Sequence, residues 1–112
     1  MHELGVVIEV VKIVENFAQK NALTKIDTVV IQIGELSSII PRYIEACYPA
    51  AVDGTLLHET NLKIERLPGN AICKKCNKVF NPIANNRCPA CGSKERELLC
   101  GKEFIIKEII AC

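Results

Sequence analysis

Apolar residues in the first twenty positions of the chain recur at intervals of three and four, which is the period of one face of an α-helix. Charged and amide side chains occupy the positions between them. The pattern predicts an amphipathic helix from Leu4 to about Asn21 that buries one face against a core. The apolar face of this predicted helix consists of Leu4, Val7, Ile8, Val11, Val14 and Ala18.

In two later stretches, successive side chains fall into two sets that alternate with a period of two residues, as on the two faces of a β-strand. The first, residues 26–33, is rich in β-branched residues and ends at Gly34. The second runs from Asn61 to Leu67 and is followed by a proline-glycine pair, which marks a boundary near residue 70. Both stretches are predicted to be strands.

A second helix is predicted between these two strands. Ser37 and Ser38 offer side-chain caps for its first amides. Pro41 suits the first helical turn, where its missing amide hydrogen is not needed, and the helix is expected to reach about Asp53. Pro49 lies inside this helix and removes one helical hydrogen bond, so a kink or break is expected there.

Four of the seven cysteines form two C-x-x-C pairs separated by eleven residues. Two such pairs at this separation are typical of a closed tetrahedral site of four thiolates, for which zinc is the usual metal. The turns after the pairs contain Asn77 and Gly92, residue types that tolerate a positive φ. We therefore predict a structural zinc site formed by Cys73, Cys76, Cys88 and Cys91.

The alternatives to zinc are redox-active dithiols, two disulfides, or an iron-loaded site. A redox C-x-x-C normally lies between a strand and the N-terminus of a helix, but no helical pattern follows either of these pairs. The odd cysteine number also prevents complete disulfide pairing, so a reducing, cytoplasmic location is expected. Among the remaining cysteines, Cys47 is predicted to be a small buried residue, Cys100 a less suitable substitute ligand, and Cys112 an exposed tail residue.

The stretch from Glu103 to Ile110 is strongly apolar, which predicts a strand buried on both faces. A ribbon of about thirty residues cannot bury it, so we expect the strand to return to the first sheet. The predicted fold is α+β: a small three-stranded sheet with two helices on one face, plus an inserted zinc-ribbon module with four cysteine ligands. Residues 1–70 would form the α/β module, completed by the returning strand 101–112, and residues 71–100 the zinc-binding ribbon.

Composition excludes several classes of function. The 112 residues contain no apolar run approaching the roughly 18 residues of a membrane span. They also contain no phosphate-binding loop, no open three-ligand metal site and no evident Ser/His/Asp set, so an enzyme is not expected. Residues 71–99 carry six basic and two acidic side chains, a net charge of +4 within an overall charge of +1. Nucleic-acid binding is nevertheless not expected, because Phe80 is the only aromatic residue there.

The N-terminus offers a second set of metal donors. The Met1 α-amine, the next backbone nitrogen and the His2 imidazole can close fused rings around one metal ion, and Glu3 can supply a further donor. Nitrogen-rich planar donor sets favour Ni(II) or Cu(II) over zinc. The alternative is that His2 is only an exposed terminal histidine, and spacing alone leaves both interpretations open. His58 has no partner at regular spacing and is predicted to be a solvated loop residue.

The motifs of the whole chain resemble the HypA family (HypA/HybF), nickel metallochaperones of [NiFe]-hydrogenase maturation. Two positions differ from the family pattern, since Arg42 and Pro49 stand where acidic residues are usual. This puts the regularity of the second helix in doubt but leaves the metal sites intact. The resemblance rests on Met1-His2-Glu3, Ile33-Gly34-Glu35-Leu36-Ser37, Pro41, Gly54-Thr55, Leu62, Cys73/Cys76, Cys88-Pro89-x-Cys91-Gly92 and Gly101-x-Glu103.

The resemblance implies a function for each metal. By analogy with the family, His2 with the Met1 amine binds nickel as a transferred cargo, Glu3 assists binding or transfer, and the four cysteines hold structural zinc. It implies as partners a HypB-type nickel GTPase and the hydrogenase large subunit, and in some organisms a role for urease. A homodimer formed by exchange of the last strand is a further alternative.

Overall fold

The computed structural model describes residues 3–111 and contains two helices and six strands within that range. The strands form two three-stranded sheets, one in the order β2-β1-β6 and the other in the order β4-β3-β5. The predicted α+β fold with an inserted ribbon is therefore confirmed. The elements are α1 (Glu3–Lys20), β1 (Ile26–Gly34), α2 (Pro41–Val52), β2 (Asn61–Leu67), β3 (Asn70–Cys73), β4 (Val79–Phe80), β5 (Arg96–Cys100) and β6 (Phe104–Ala111).

The chain divides into two compact units. The helical unit comprises residues 3–32, 39–65 and 105–111 of the described chain, and the ribbon unit comprises residues 33–38 and 66–104. The loop that follows β1 thus belongs to the ribbon unit, although the first residues of β1 belong to the helical unit. No helix within residues 3–111 is long and apolar enough to cross a membrane.

The helical unit is organised around the apolar face of α1. Val14 and Ala18 are completely buried, and Val7, Val10 and Val11 are nearly so. The prediction is confirmed for Val7, Val11, Val14 and Ala18 and wrong for Leu4 and Ile8, which are 40% and 39% exposed. This buried face lies where α1 contacts α2. The rest of this core consists of Ile26, Val29, Val30, Ile31, Ile44, Val52 and Leu57.

A chain of polar contacts joins α2 to the sheet at the start of β2. Thr60 is buried, and its hydroxyl donates a hydrogen bond to the Ile26 carbonyl at 2.7 Å. The Tyr48 hydroxyl in turn donates to the Thr60 carbonyl at 2.8 Å. Burial raises the pKa of Tyr48 to about 12, so this phenol remains a donor throughout the physiological pH range.

The N-terminus of α2 differs from the prediction. The N-cap is Ile40, in an extended conformation and without a side-chain capping bond, so neither Ser37 nor Ser38 caps the helix. The cause is Pro41 at the first helical position, because a proline forces the preceding residue into the extended region. The predicted role of Pro41 is thus confirmed and that of the two serines is wrong.

The expected kink or break at Pro49 is not a break, since α2 continues to Val52, and the kink stays a prediction. Pro49 is exposed and lies three residues before the end of the helix. At this position it removes one hydrogen bond from the last turn, and few later residues depend on that bond. A proline so close to a helix end is compatible with a continuous element.

Strand β6 returns to the first sheet as predicted, but it is an edge strand and is not buried on both faces. Ile105 and Ile110 are 43% and 42% exposed. The Glu65 carboxylate of β2 accepts hydrogen bonds at 3.1 Å from both Gln32 of β1 and Lys107 of β6. These two bonds, Gln32 first, lower the pKa of Glu65. A polar row across the three strands therefore keeps part of this sheet in solvent.

Two glycines of the ribbon unit, Gly34 and Gly101, lie where two backbone segments approach closely. The Gly34 amide donates to the Glu103 carbonyl at 2.8 Å, and the Leu36 amide donates to the Gly101 carbonyl at 2.7 Å. A Cβ at Gly34 would lie 2.0 Å from the Gly101 carbonyl oxygen. Because the obstacle is backbone, it cannot rotate away as a side chain could.

The substitution Gly34→Ala is expected to lower the free energy of unfolding by about 3 kcal/mol, since two backbone segments must separate. Urea unfolding followed by circular dichroism measures this loss. The matched control is Gly5→Ala in α1, where an added methyl group meets nothing within 4 Å. Alanine favours a helix over glycine, so the control should be neutral or slightly stabilised. Equal stability of the two variants would contradict the close approach.

Candidate metal centre

The first cysteine pair lies on a tight turn between β3 and β4. The Asn77 amide donates to the Cys73 carbonyl at 2.9 Å, and the Cys73 amide donates to the Lys78 carbonyl at 2.9 Å. Asn77 has a φ of 63°, the left-handed conformation predicted for the residue after Cys76. The turn directs both side chains of the pair to one side.

The second pair forms the same turn. The Gly92 amide donates to the Cys88 carbonyl at 2.8 Å, and the Cys88 amide donates to the Ser93 carbonyl at 2.9 Å. Gly92 has a φ of 76°, so the prediction for the residue after Cys91 is also confirmed. The two pairs therefore present their sulfurs in equivalent ways, which is expected of two halves of one tetrahedral site.

The four sulfur atoms come together in the ribbon unit. All of them lie within 4.8 Å of one another. The shortest distances join the two turns: Cys73 Sγ to Cys91 Sγ is 3.5 Å, and Cys76 Sγ to Cys88 Sγ is 3.4 Å. A tetrahedron with Zn–S bonds of about 2.3 Å has sulfur–sulfur edges of about 3.8 Å. The donor set and its dimensions therefore fit zinc, and all four cysteines are free thiols.

Only half of the cluster is shielded from solvent. Cys73 and Cys88 are buried, whereas Cys76 and Cys91 are exposed. The two buried cysteines share a small apolar core with Ala71 and Phe80. A core with so few apolar side chains is too small to stabilise three short strands, so a bound metal would contribute much of the folding free energy.

Backbone amides make the first cysteine of each pair the stronger acid. Hydrogen bonds from the turn, chiefly at Cys76, lower the pKa of Cys73. Burial alone would raise the pKa of Cys88, but backbone hydrogen bonds at Cys91 and Ala90 outweigh it and lower the value to about 6. These two sulfurs are thus prepared for the thiolate form that a metal requires.

The second cysteine of each pair holds its proton more tightly. A backbone hydrogen bond at Lys78 favours the thiolate of Cys76, but the contact with Cys88 and partial burial raise its pKa to about 12. A backbone hydrogen bond at Ser93 favours the Cys91 thiolate, and the contact with Cys73 raises its pKa overall. Each short sulfur–sulfur contact therefore pairs a stronger with a weaker acid, and a divalent metal must displace the remaining protons.

The predicted nickel site falls mostly outside the part of the chain that the structure describes. Met1 and His2 lie before the first described residue, so their role as ligands stays a prediction. Glu3 is the first residue of α1. It lies at the edge of a shallow apolar groove whose other walls are Leu4, Tyr43, Ala46 and Cys47.

The other candidate residues have different surroundings. His58 is 62% exposed, and its Nδ1 lies 3.1 Å from the Thr55 carbonyl, as expected of a solvated loop histidine. Cys47 is partly exposed, which differs from the predicted burial, because it lines the groove beside Glu3. Cys100 is partly exposed and 3.6 Å from the Asn70 side-chain amide, outside the four-sulfur cluster. Cys112 lies beyond the described residues.

Two helices on a small sheet with a four-cysteine ribbon define a small metal-binding protein. The chain belongs to the HypA family, because the family's sequence model, described as "Hydrogenase/urease nickel incorporation, metallochaperone, hypA", matches residues 1–111. Glu3 and the four cysteines all lie within the matched range. The resemblance found in the sequence motifs is therefore confirmed over essentially the full length.

Individual relatives agree with this assignment. "Hydrogenase maturation factor HypA" of Geobacter sulfurreducens is 38% identical over 111 residues, and its Geobacter metallireducens counterpart is 37% identical, with 97% of each chain covered in both cases. The solution structure of the Ni metallochaperone HypA from Helicobacter pylori aligns with a TM-score of 0.67 and 28% identity, covering 99% of this chain and 97% of that chain. Another HypA solution structure aligns with a TM-score of 0.73 and 27% identity, covering 100% and 97%.

Replacing one cysteine of the cluster should have an effect on zinc binding that replacing a cysteine outside the cluster does not have. Cys73→Ser is expected to lose tight zinc binding, because three thiolates and a neutral hydroxyl cannot form the closed site. Cys47→Ser is the matched control and should retain one zinc per chain. Elemental analysis of the purified, dialysed proteins measures the difference. A folded Cys73→Ser protein with a full complement of zinc would contradict the assignment.

Zinc affinity is expected to fall as pH falls. The pKa of Cys76 is raised to about 12 and that of Cys91 is also raised, so zinc must displace protons in order to bind, and proton release is expected when zinc binds at pH 7. Calorimetry in buffers of different ionisation enthalpy counts these protons. Release of fewer than one proton per zinc would show that the cluster is already fully ionised.

Proposed function

We propose that this protein is a nickel metallochaperone that binds Ni(II) at its N-terminus and delivers it for maturation of [NiFe]-hydrogenase. The observation that carries the proposal is the match of residues 1–111 to a family of nickel-incorporation metallochaperones. Relatives with this description align over nearly their whole length, so the proposal does not depend on one segment of the chain. In this proposal nickel is a transferred cargo and zinc is a permanent structural component.

The chemistry of the two donor sets supports this division between the metals. Four thiolates saturate a tetrahedral zinc ion and leave no open position for exchange. A chelate of the Met1 amine, the adjacent backbone nitrogen and the His2 imidazole suits Ni(II) and leaves positions for an incoming ligand. Glu3, which begins α1, is proposed as a further donor or as a group that assists transfer. Nickel held in this way can leave by stepwise ligand exchange.

The proposed partners follow from this transfer step and from the family. A nickel GTPase of the HypB type would supply nucleotide-driven delivery, and the hydrogenase large subunit would receive the metal. Urease is proposed as a second recipient where the cell contains it. The proposed location is the cytoplasm, and a homodimer is an alternative assembly.

Loss of the His2 imidazole should abolish tight Ni(II) binding and leave zinc in place. We expect tag-free, zinc-loaded protein to bind one nickel ion, and His2→Ala or an N-terminal extension to weaken this binding by about 100-fold or more, in keeping with the loss of a chelating ligand. Isothermal titration calorimetry with NiCl₂ measures the affinity. His58→Ala is the matched control, because it removes the only other histidine.

The outcomes of this titration are distinct. Equal nickel affinity in the parent and His2→Ala proteins would reject the N-terminal site. An equal loss in His58→Ala would instead locate nickel at the loop histidine. Zinc content is measured in parallel, so a collapse of the ribbon unit cannot be mistaken for the loss of a nickel ligand.

A further inference from the structure

One carboxylate outside the cysteine turns connects two segments of the ribbon unit. Glu35 lies in the loop after β1, and its Oε1 accepts a hydrogen bond from the Gly69 amide at 2.9 Å. The same oxygen accepts a hydrogen bond from the Asn81 side-chain amide at 3.3 Å. Both bonds have a charged acceptor and are partly buried, which makes them stronger than ordinary surface bonds.

The bond to Gly69 acts on the segment that carries the first sulfur. Gly69 immediately precedes β3, and β3 ends at Cys73. The Glu35 amide also donates to the Leu67 carbonyl at 2.8 Å, so both the backbone and the side chain of this residue hold the same segment. Leu36 packs directly on Gly69, where an added Cβ would lie 2.6 Å from the leucine Cγ. The start of β3 is therefore held at several points.

The bond to Asn81 acts on the segment that leads to the third sulfur. Asn81 follows β4, and its Oδ1 accepts hydrogen bonds from the amides of Ile83 and Ala84 at 2.8 and 3.2 Å. These bonds shape the turn from which the chain continues to Cys88. The amide nitrogen of the same side chain donates its hydrogen bond to Glu35. Asn81 therefore shapes the turn with one atom and attaches it to Glu35 with another.

We propose that Glu35 is a positioning residue for the zinc site: through Gly69 and Asn81 it holds the segments that carry Cys73 and Cys88 at the separation that the metal requires. The inference rests on the proposed zinc site and deepens it. Glu35 does not touch a sulfur in this arrangement. Its effect is to reduce the ordering that remains when zinc binds, which raises affinity by preorganisation.

Two substitutions of Glu35 distinguish the effect of its hydrogen bonds on zinc affinity from the effect of its charge. Glu35→Ala removes the acceptor for both bonds and is expected to lower zinc affinity about tenfold, as the loss of roughly 1.4 kcal/mol would. Glu35→Gln keeps a carbonyl oxygen that can accept both bonds, so it should recover most of the affinity. Competition for zinc with a chromophoric chelator measures affinity and the rate of zinc release.

A second pair of variants tests the bond from the other side. Asn81→Asp keeps the oxygen that shapes the turn but loses the amide donor and places a second carboxylate beside Glu35, so zinc should bind more weakly. Adding Glu35→Gln supplies a new amide donor opposite the introduced carboxylate, and the double variant should regain affinity. A simple loss of fold would not produce this recovery.

The cobalt-substituted proteins provide a readout of the ligands themselves. Every variant should show the absorption bands of tetrahedral Co(II) bound to four thiolates, because no ligand is changed. Parent-like zinc affinity in Glu35→Ala, or an equal loss in Glu35→Ala and Glu35→Gln, would overturn the positioning role. If Glu35→Ala does not fold, the recovery in the Asn81→Asp pair decides. Failure of the zinc site itself would appear separately, as absent zinc binding in the parent protein.

Discussion

The ribbon unit depends on the convergence of four sulfur atoms from two equivalent turns. Strands β3, β4 and β5 contain four, two and five residues, and the buried cysteines form a small cluster with Ala71 and Phe80. Apolar burial on this scale cannot offset the conformational entropy of ordering a module of this length. The sulfur–sulfur distances of 3.4 and 3.5 Å instead describe a site that a tetrahedral metal would complete.

The helical unit is stabilised by different means. The buried face of α1 and the central strand β1 form an aliphatic core, and buried Thr60 ties the sheet to α2. This unit has an aliphatic core of its own, whereas the ribbon unit has a small core that a bound metal would stabilise. In the proposed function, the same contrast divides the two metals, because a closed sulfur site stabilises structure and an open nitrogen chelate can release its cargo.

Several sequence expectations were wrong. The apolar character of β6 predicted burial on both faces, but a sheet of three strands has two edges and β6 occupies one of them. Ser37 and Ser38 have the right chemistry for caps, but Pro41 set the start of α2 one residue after Ile40. Pro49 lies near enough to the end of α2 for the helix to continue past it.

The sequence by itself determined the features that depend on neighbouring residues: most of the buried face of α1, the two cysteine turns with Asn77 and Gly92 in the left-handed conformation, and membership of the HypA family. These features follow from spacing and local conformational preference, which are written in consecutive residues. Only the tertiary structure decided the edge position of β6 and the contacts of Glu35, whose partners are 34 and 46 residues away. A glutamate in a turn carries no local signal of what it will bind, because its hydrogen-bond partners are brought to it by the folding of the rest of the chain.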